Sequence, residues 1–210
     1  MPRSAPFQQH HRRYDDWFEH HAAAYYSELL AVRALLPWHG RGLSIGVGTR
    51  RFAAPLGVRL GIDPARAMLS YAARRGVIVV QGVAETLPFA DASFDYILSV
   101  TTICFVEDAR AMMAEAHRVL KRDGKLVIGF IDRGSTLGRE YLEHQNKNAF
   151  YREASFFSVD EVEQLLFATG FNKMLWVQTL VGCLSEVYAI EPLREGHGEA
   201  AFVVVRASCF

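Results

Sequence analysis

The chain has 210 residues, and its 23 basic and 23 acidic side chains give a formal net charge of zero. This length suits a single domain over 1–210, and the balanced charge argues against nucleic acid or an anionic membrane as a partner. No apolar run reaches the roughly 20 residues of a membrane span, and no secretory signal is present, so we expect a cytoplasmic monomer or homodimer.

The first 40 residues predict helices that precede the main fold. Apolar and aromatic side chains recur at helical spacing over residues 7–36, which favours two helices, and the PWHG stretch at 37–40 ends the pattern. A segment of this kind would cover a sheet edge or close over a ligand pocket. We interpret residues 1–40 as an N-terminal helical lid, with ordinary core packing as the alternative for any single aromatic side chain.

From residue 42 onward, predicted strands alternate with predicted helices. This alternation favours a mainly parallel sheet with helices on both faces. The later part of the chain predicts a polar helix, a capped helix and two more strands. Strands are predicted at 43–47, 58–62, 77–81, 94–100, 125–131, 172–180 and 201–206, and helices at 51–56, 65–75, 107–121, 137–147 and 158–170, with a long connection at 181–199.

Gly46 and Gly48 lie between the first strand and the next helical segment. Such a turn lets backbone N–H groups approach a polar or anionic ligand, although Gly-x-Gly also occurs in turns that bind nothing. Asp63 ends the second strand, near the spacing of about 20 residues at which nucleotide-binding folds place a carboxylate for a ribose. It would also suit a helix cap before Pro64. The pattern predicts a nucleoside ligand at the rim where the parallel strands end.

Histidine and cysteine positions give less information. His20, His21 and His144 are the candidates for a general base, and a solvated histidine on a helix is the alternative for each. The three cysteines are odd in number and widely separated. We therefore expect reduced thiols and no metal site.

Five blocks of sequence carry a resemblance to a known family. In this order and spacing, the chain resembles the class I S-adenosylmethionine (SAM)-dependent methyltransferases, in particular the small-molecule group related to ubiquinone and menaquinone biosynthesis. The resemblance extends from about residue 14 to about residue 171. The blocks are LSIGVGT at 43–49, GIDP at 61–64, GVAETLPF at 82–89, SFDY at 93–96, and HRVLK with DGK at 117–125.

The resemblance implies a Rossmann-like α/β fold, with a seven-stranded, mostly parallel sheet whose last strand is antiparallel. It implies SAM as cofactor, a cofactor-binding half at 41–132, a substrate-side half at 133–210, and a small-molecule methyl acceptor. Asp63 would bind the ribose, the backbone near Ala84 the adenine, and residues 99–105 the methionine part. The implied cofactor-binding residues are Ser44, Gly46, Gly48, Arg50, Asp63, Ala84, Glu85, Ser99, Thr101 and Thr102.

The sequence departs from the family pattern at three positions. Ser44 and Val83 stand where acidic residues are usual, and Arg50 stands in place of a third glycine. Arg50 would pair with the methionine carboxylate or narrow the pocket. Two alternatives therefore stay open, a catalytically silent SAM-binding or regulatory module and a nicotinamide-binding protein. The latter would require glycine in place of Arg51.

Overall fold

The computed structural model describes residues 3–209, and it confirms the alternation of strands and helices after residue 42. The helices are α1 Ala5–Gln9, α2 His11–His20, α3 Ala22–Leu35, α4 Arg66–Arg74, α5 Ala109–Val119, α6 Thr136–Glu143 and α7 Val159–Ala168. The strands are β1 Gly42–Ile45, β2 Leu60–Asp63, β3 Ile78–Gln81, β4 Phe94–Val100, β5 Leu120–Ile131, β6 Phe171–Thr179, β7 Arg194–Glu195 and β8 Phe202–Cys209.

Within residues 3–209, eight strands form one sheet in the order β3-β2-β1-β4-β5-β8-β6-β7. The first five strands in this order are parallel, and β8 pairs antiparallel with both β5 and β6. The mostly parallel sheet and the antiparallel last strand are thus confirmed. The predicted count of seven strands is wrong, because β7 lies inside the expected loop at 181–199. Two residues are too short to show the alternation that marks a strand.

Two local predictions differ from the structure. Residues 51–57 form turns where a helix was expected at 51–56. Pro55 has no N–H to donate, and Gly57 has a φ of 76°, which does not continue a helix. The N-terminal segment forms three helices where two were expected. The capping box at Ser158 and Glu161 is confirmed, and it opens α7.

Helices cover both faces of the sheet. One apolar core lies between the sheet and the helices α3 and α4, and includes Val32, Leu35, Leu69 and Ala72. The other lies between the opposite face and the helices α5 and α7. Strand β1 contributes Leu43 and Ile45 to the second core. The sheet is therefore fixed from both sides, and its C-terminal rim is rigidly positioned.

The three N-terminal helices have different surroundings. Helix α3 packs against β5, β6 and β8, so it is part of the core. Helix α1 contacts α4, and α1 and α2 lie beside the strand ends. The lid interpretation therefore narrows to α1 and α2, and their movement stays a prediction. None of the helices within residues 3–209 has the length and apolar character needed to cross a membrane.

Candidate active site

A cavity of about 630 Å³ lies at the C-terminal rim of the parallel strands. Its wall includes residues at or directly after the ends of successive strands: Gly46, Asp63, Gly82, Thr101 and Ile131. Open parallel sheets bind ligands at this rim. The convergence expected from the sequence is therefore present in the structure.

Gly46 and Gly48 form the turn after β1. Both have positive φ, at 65° and 53°, which L side chains rarely adopt. A side chain at Gly46 would also collide with Thr102, whose hydroxyl donates to the carbonyl of Val100 at 3.0 Å. Gly46 is thus required by packing, and the loop backbone stays bare toward the cavity.

Asp63 connects this loop to the start of α4. One carboxylate oxygen accepts a hydrogen bond from the Gly48 N–H at 2.9 Å, and the other accepts from the Ala65 N–H at 2.8 Å. Burial raises the pKa of Asp63 to about 6, although both hydrogen bonds oppose that shift. A carboxylate can accept about four hydrogen bonds, so it keeps capacity for a hydroxyl pair. The capping and ligand-binding roles of Asp63 are compatible.

Four more predicted residues line the same cavity: Ala84, Glu85, Thr101 and Thr102. Glu85 also accepts a hydrogen bond from the Glu107 N–H at 2.8 Å, which fixes the loop after β3 to the loop before α5. Val83, one of the departures from the family pattern, is in the wall as well. Cofactor binding by these residues stays a prediction, now supported by their common location.

Two predicted residues lie below the rim. Ser44 and Ser99 are buried inside β1 and β4, and the lining of the cavity includes neither. Ser99 is paired in register with Ile45, and its hydroxyl has no hydrogen-bond partner within the described part of the chain. The structure therefore does not bring these two serines to the cavity wall, because each precedes the end of its strand by one residue, and their contact with the cofactor stays a prediction.

Arg50 lies apart from the cavity wall, whereas the sequence predicts that it contacts the ligand or narrows the pocket. Its backbone has a φ of 77°, the left-handed conformation that a glycine would adopt without strain. Its guanidinium lies toward Gly76, beyond the end of α4, with Nη1 3.3 Å from where a β-carbon of Gly76 would stand. Among residues 3–209, Nε and Nη1 have no hydrogen-bond partner. Arg50 therefore neither contacts the cavity nor narrows it.

The three histidine candidates have different locations in the structure. His20 is largely exposed at the end of α2, borders the cavity, and has its Nδ1 atom 2.7 Å from the Asp16 carbonyl oxygen. His21 lines the cavity and stacks on Trp17, with ring centroids 4.7 Å apart. One of its ring nitrogens, Nδ1, is 3.1 Å from the Trp17 carbonyl oxygen. His144 is exposed at the end of α6 and is outside the cavity wall, so the structure gives its predicted catalytic role no support. His21 remains a candidate.

Helix α2 is attached to the glycine loop by a cluster of ions. The Asp15 carboxylate accepts from Arg51 at 2.8 Å and from Arg75 at 2.7 Å. Burial alone would raise the pKa of Asp15, but these hydrogen bonds outweigh it and hold the pKa well below its usual range. Arg75 also donates to the Thr49 carbonyl at 2.6 Å. The helix that covers the cavity is thereby joined to the loop that forms its floor.

Aromatic rings form much of the remaining wall. Phe7 from α1 contacts Phe105 and Phe150 with centroid distances of 4.8 and 5.3 Å. Tyr151 stacks between Phe105, at 5.7 Å, and Tyr141, at 4.9 Å. These contacts place an apolar, ring-lined pocket beside the strand ends.

One cavity residue, Glu28, was absent from the sequence prediction. It lies on α3 and is 5% exposed. The signal was present in the sequence, because Glu28 interrupts the buried stripe of Ala24, Ala31 and Leu35 at helical spacing. A carboxylate on such a stripe indicates either a buried partner or a ligand.

Known proteins support the family assignment. A family profile described as "Methyltransferase domain" matches residues 43–128. A SAM-dependent methyltransferase and possible histamine N-methyltransferase of Thermotoga maritima has 48% identity and a TM-score of 0.96, covering 99% of this chain and all of that one.

Two relatives extend this similarity. An uncharacterized protein of Methanocaldococcus jannaschii is 41% identical, over 96% of this chain and 97% of that protein. The malonyl-[acyl-carrier protein] O-methyltransferase of Methylococcus capsulatus is 31% identical, over 70% of this chain and 58% of that protein. None of these matches singles out the ubiquinone and menaquinone group. With the glycine loop, Asp63 and the sheet order, they show that the chain belongs to the class I SAM-dependent methyltransferases.

Proposed function

We propose that this methyltransferase acts on a small-molecule acceptor. The observation that carries the proposal is the shape of the cavity, which joins the cofactor rim to a pocket enclosed by α1, α2, α3 and α6. An acceptor must reach the reacting carbon through this covered space, which favours a compact molecule over a macromolecular surface.

The residues at the rim suit the cofactor. Asp63 would hold the ribose hydroxyls, the bare backbone at Gly46 and Gly48 would lie against the cofactor, and residues 84–85 would border the adenine. When bound, SAM supplies an electrophilic methyl group on a sulfonium with a neutral thioether leaving group. The protein contributes the enclosure, the exclusion of water and the alignment of the acceptor, and such positioning accounts for much of the acceleration in displacement reactions.

The first experiment measures cofactor binding by calorimetry. Asp63→Ala is expected to weaken SAM binding by about 1–3 kcal/mol, because the ribose would lose a charged acceptor. Asp160→Ala is the matched control, since Asp160 is exposed on α7 and outside the cavity. If wild type and Asp63→Ala bound SAM with equal affinity, Asp63 would only connect the glycine loop to α4 and would not bind the ribose.

The second experiment measures transfer of a labelled methyl group. The panel contains amines, phenols, thiols, carboxylates and metalloid oxyanions. Histamine is included because of the Thermotoga protein, and a malonyl thioester because of the Methylococcus enzyme. SAM binding without transfer to any member would favour the catalytically silent alternative. Failure to bind SAM would overturn the proposal itself.

A further inference from the structure

Glu28 is a buried acid that the fold does not use. It lies in the middle of α3, on the face that packs against the sheet, and it lines the cavity. Its carboxylate has no hydrogen bond or ion pair with any residue in 3–209. An unpaired carboxylate in such a place costs stability, so its presence there indicates a role other than stabilising the fold.

The other buried acid in the cavity wall has a different environment. Asp63 is satisfied by two backbone N–H donors, whereas Glu28 lacks a donor throughout the described chain. The cavity also includes Arg3 and Arg13, but Arg13 is exposed and Arg3 donates to Ser155 at 2.7 Å. Neither arginine forms an ion pair with Glu28. His20 and His21 also line the cavity, and neither forms an ion pair with Glu28. Among the described residues, the cavity wall therefore offers a buried acid without a paired cation.

Three tyrosines, Tyr14, Tyr141 and Tyr151, line the same cavity as this acid. Burial and then the charge of Glu28 raise the pKa of Tyr141, and burial also raises that of Tyr14 and Tyr151, with smaller contributions from Glu28. The three phenols come from α2, from α6 and from the segment after it, so they border the cavity from different elements. Rings around a carboxylate form a suitable enclosure for an organic cation.

We propose, resting on the proposed function, that Glu28 and the tyrosines Tyr14, Tyr141 and Tyr151 form the acceptor subsite and that the acceptor is a small amine. The carboxylate of Glu28 binds the protonated amine and then takes its proton. One N–H bond of the ammonium breaks, one O–H bond forms on Glu28, and the nitrogen lone pair becomes free for methylation. The proton remains on the protein, so the step needs no further reagent.

The acidity of Glu28 suits this exchange. Burial raises its pKa to about 8, which brings it closer to the value of about 10 for an alkyl ammonium group. A proton acceptor works best when its pKa is near that of the donor and the working pH. A solvated glutamate would be a far weaker acceptor for this proton.

The test compares amines with alcohols of the same skeleton. Wild type, Glu28→Gln and Glu143→Gln, each saturated with S-adenosylhomocysteine, are titrated with histamine, phenethylamine and tyramine and with the three alcohols in which hydroxyl replaces the amino group. Glu143→Gln is the matched control, because Glu143 is an exposed acid at the end of the helix that carries Tyr141.

At least one amine is expected to bind wild type about tenfold more tightly than its alcohol, which corresponds to about 1.4 kcal/mol. Glu28→Gln should lose this preference and keep its affinity for S-adenosylhomocysteine, and Glu143→Gln should keep both. Equal binding of amine and alcohol in every pair, including no binding of either, overturns the proposal. A preference that survives in Glu28→Gln also overturns it.

A spectroscopic measurement on wild type covers the case in which Glu28→Gln fails to fold. Amine binding should change the infrared carbonyl band of one buried carboxyl group, and the alcohol should not. The same band in the amine and alcohol complexes would contradict the proton transfer. The titration of S-adenosylhomocysteine alone reports on the proposed function, so its failure is distinguishable from failure of the amine subsite.

Discussion

Arg50 occupies a backbone position suited to glycine. A non-glycine residue in the left-handed region costs about 1–3 kcal/mol unless its surroundings compensate. Here the surroundings add to the cost, since burial and then the nearby charge of Arg75 lower the pKa of the Arg50 guanidinium. The residue that departs most from the family pattern therefore affects the stability of the loop, and it does not contact the ligand cavity.

Arg50→Gly is expected to stabilise the protein by about 1 kcal/mol and to leave the SAM dissociation constant unchanged within about twofold. The glycine would relax the backbone and remove a partly buried cation. Chemical denaturation and calorimetry measure the two quantities. Asp123→Gly is the matched control for backbone conformation, because Asp123 also has positive φ, at 62°, but is exposed. If Arg50→Gly bound SAM tenfold more weakly than wild type, the result would instead support the direct contact between Arg50 and the cofactor that the sequence predicts.

The sequence located the residues whose role depends on the backbone. Gly46, Gly48 and Asp63 could be predicted because a turn after a strand and a fixed spacing determine where they lie. Side-chain direction could not be predicted in the same way. The conformation at Arg50 turned its side chain from the cavity, and the contribution of Glu28 depended on which tertiary contacts α3 makes.

At the level of elements, two kinds of contact hold α1 and α2 over the cavity. The rings of Phe7 and Tyr14 contact Phe150 on the far wall, and Asp15 binds Arg51 and Arg75 beside the glycine loop. The loop that would hold the cofactor and the helix that closes over it are therefore coupled. A change in one should be transmitted to the other.

Asp15→Asn should weaken this attachment. The substitution leaves two arginines beside each other without their shared carboxylate, and the expected loss is about 3–5 kcal/mol, as for other buried ion pairs. Hydrogen exchange should become faster in α1 and α2 and change less in β4 and β5. Glu19→Gln is the control, because Glu19 binds the same Arg51 from a side chain that is 70% exposed, and exposed pairs contribute about 0–1 kcal/mol. If hydrogen exchange became equally faster in α1, α2 and the strands of the sheet, α1 and α2 would not form a lid that opens separately.

Long amphipathic helices and buried strands were the elements that sequence patterns could identify. Strands β1 to β4 and helices α4, α5 and α7 were expected within a few residues of their observed bounds, whereas β5 begins at Leu120, five residues before the predicted start. Short or context-dependent elements were not: β7 pairs through two residues, and the break between α2 and α3 at His21 has no glycine or proline to mark it. Tertiary contacts decide such cases.

For the whole molecule, Glu28 and Asp63 make stability depend on pH. Their pKa values in the folded chain, about 8 and about 6, exceed the ordinary values of 4.5 and 3.8. The folded state therefore holds more protons than the unfolded state in this interval, and the free energy of unfolding falls as pH rises. Tyr14, Tyr141 and Tyr151, which also border the cavity, stay neutral because burial raises their pKa values.

The ligand-free protein should lose on the order of a few kcal/mol of stability between about pH 5 and pH 8. Most of the loss of stability above about pH 6 should be absent in Glu28→Gln, because a buried glutamine does not ionise as the pH rises. Urea denaturation at several pH values measures this directly. The Glu143→Gln protein should follow the wild type. Parallel curves for wild type and Glu28→Gln would mean that Glu28 has an ordinary pKa.

The position of β8 has a consequence for how the protein forms. This strand follows all the others in the sequence, yet it lies between β5 and β6 and is almost completely buried. While the chain emerges from the ribosome, β5 and β6 each have an unpaired edge until β8 arrives, and open edges of this kind promote association between chains. Completion of the sheet therefore waits for β8 to pair with both neighbours. Substitutions in β8 should reduce the yield of protein during expression more than equally destabilising substitutions in β2.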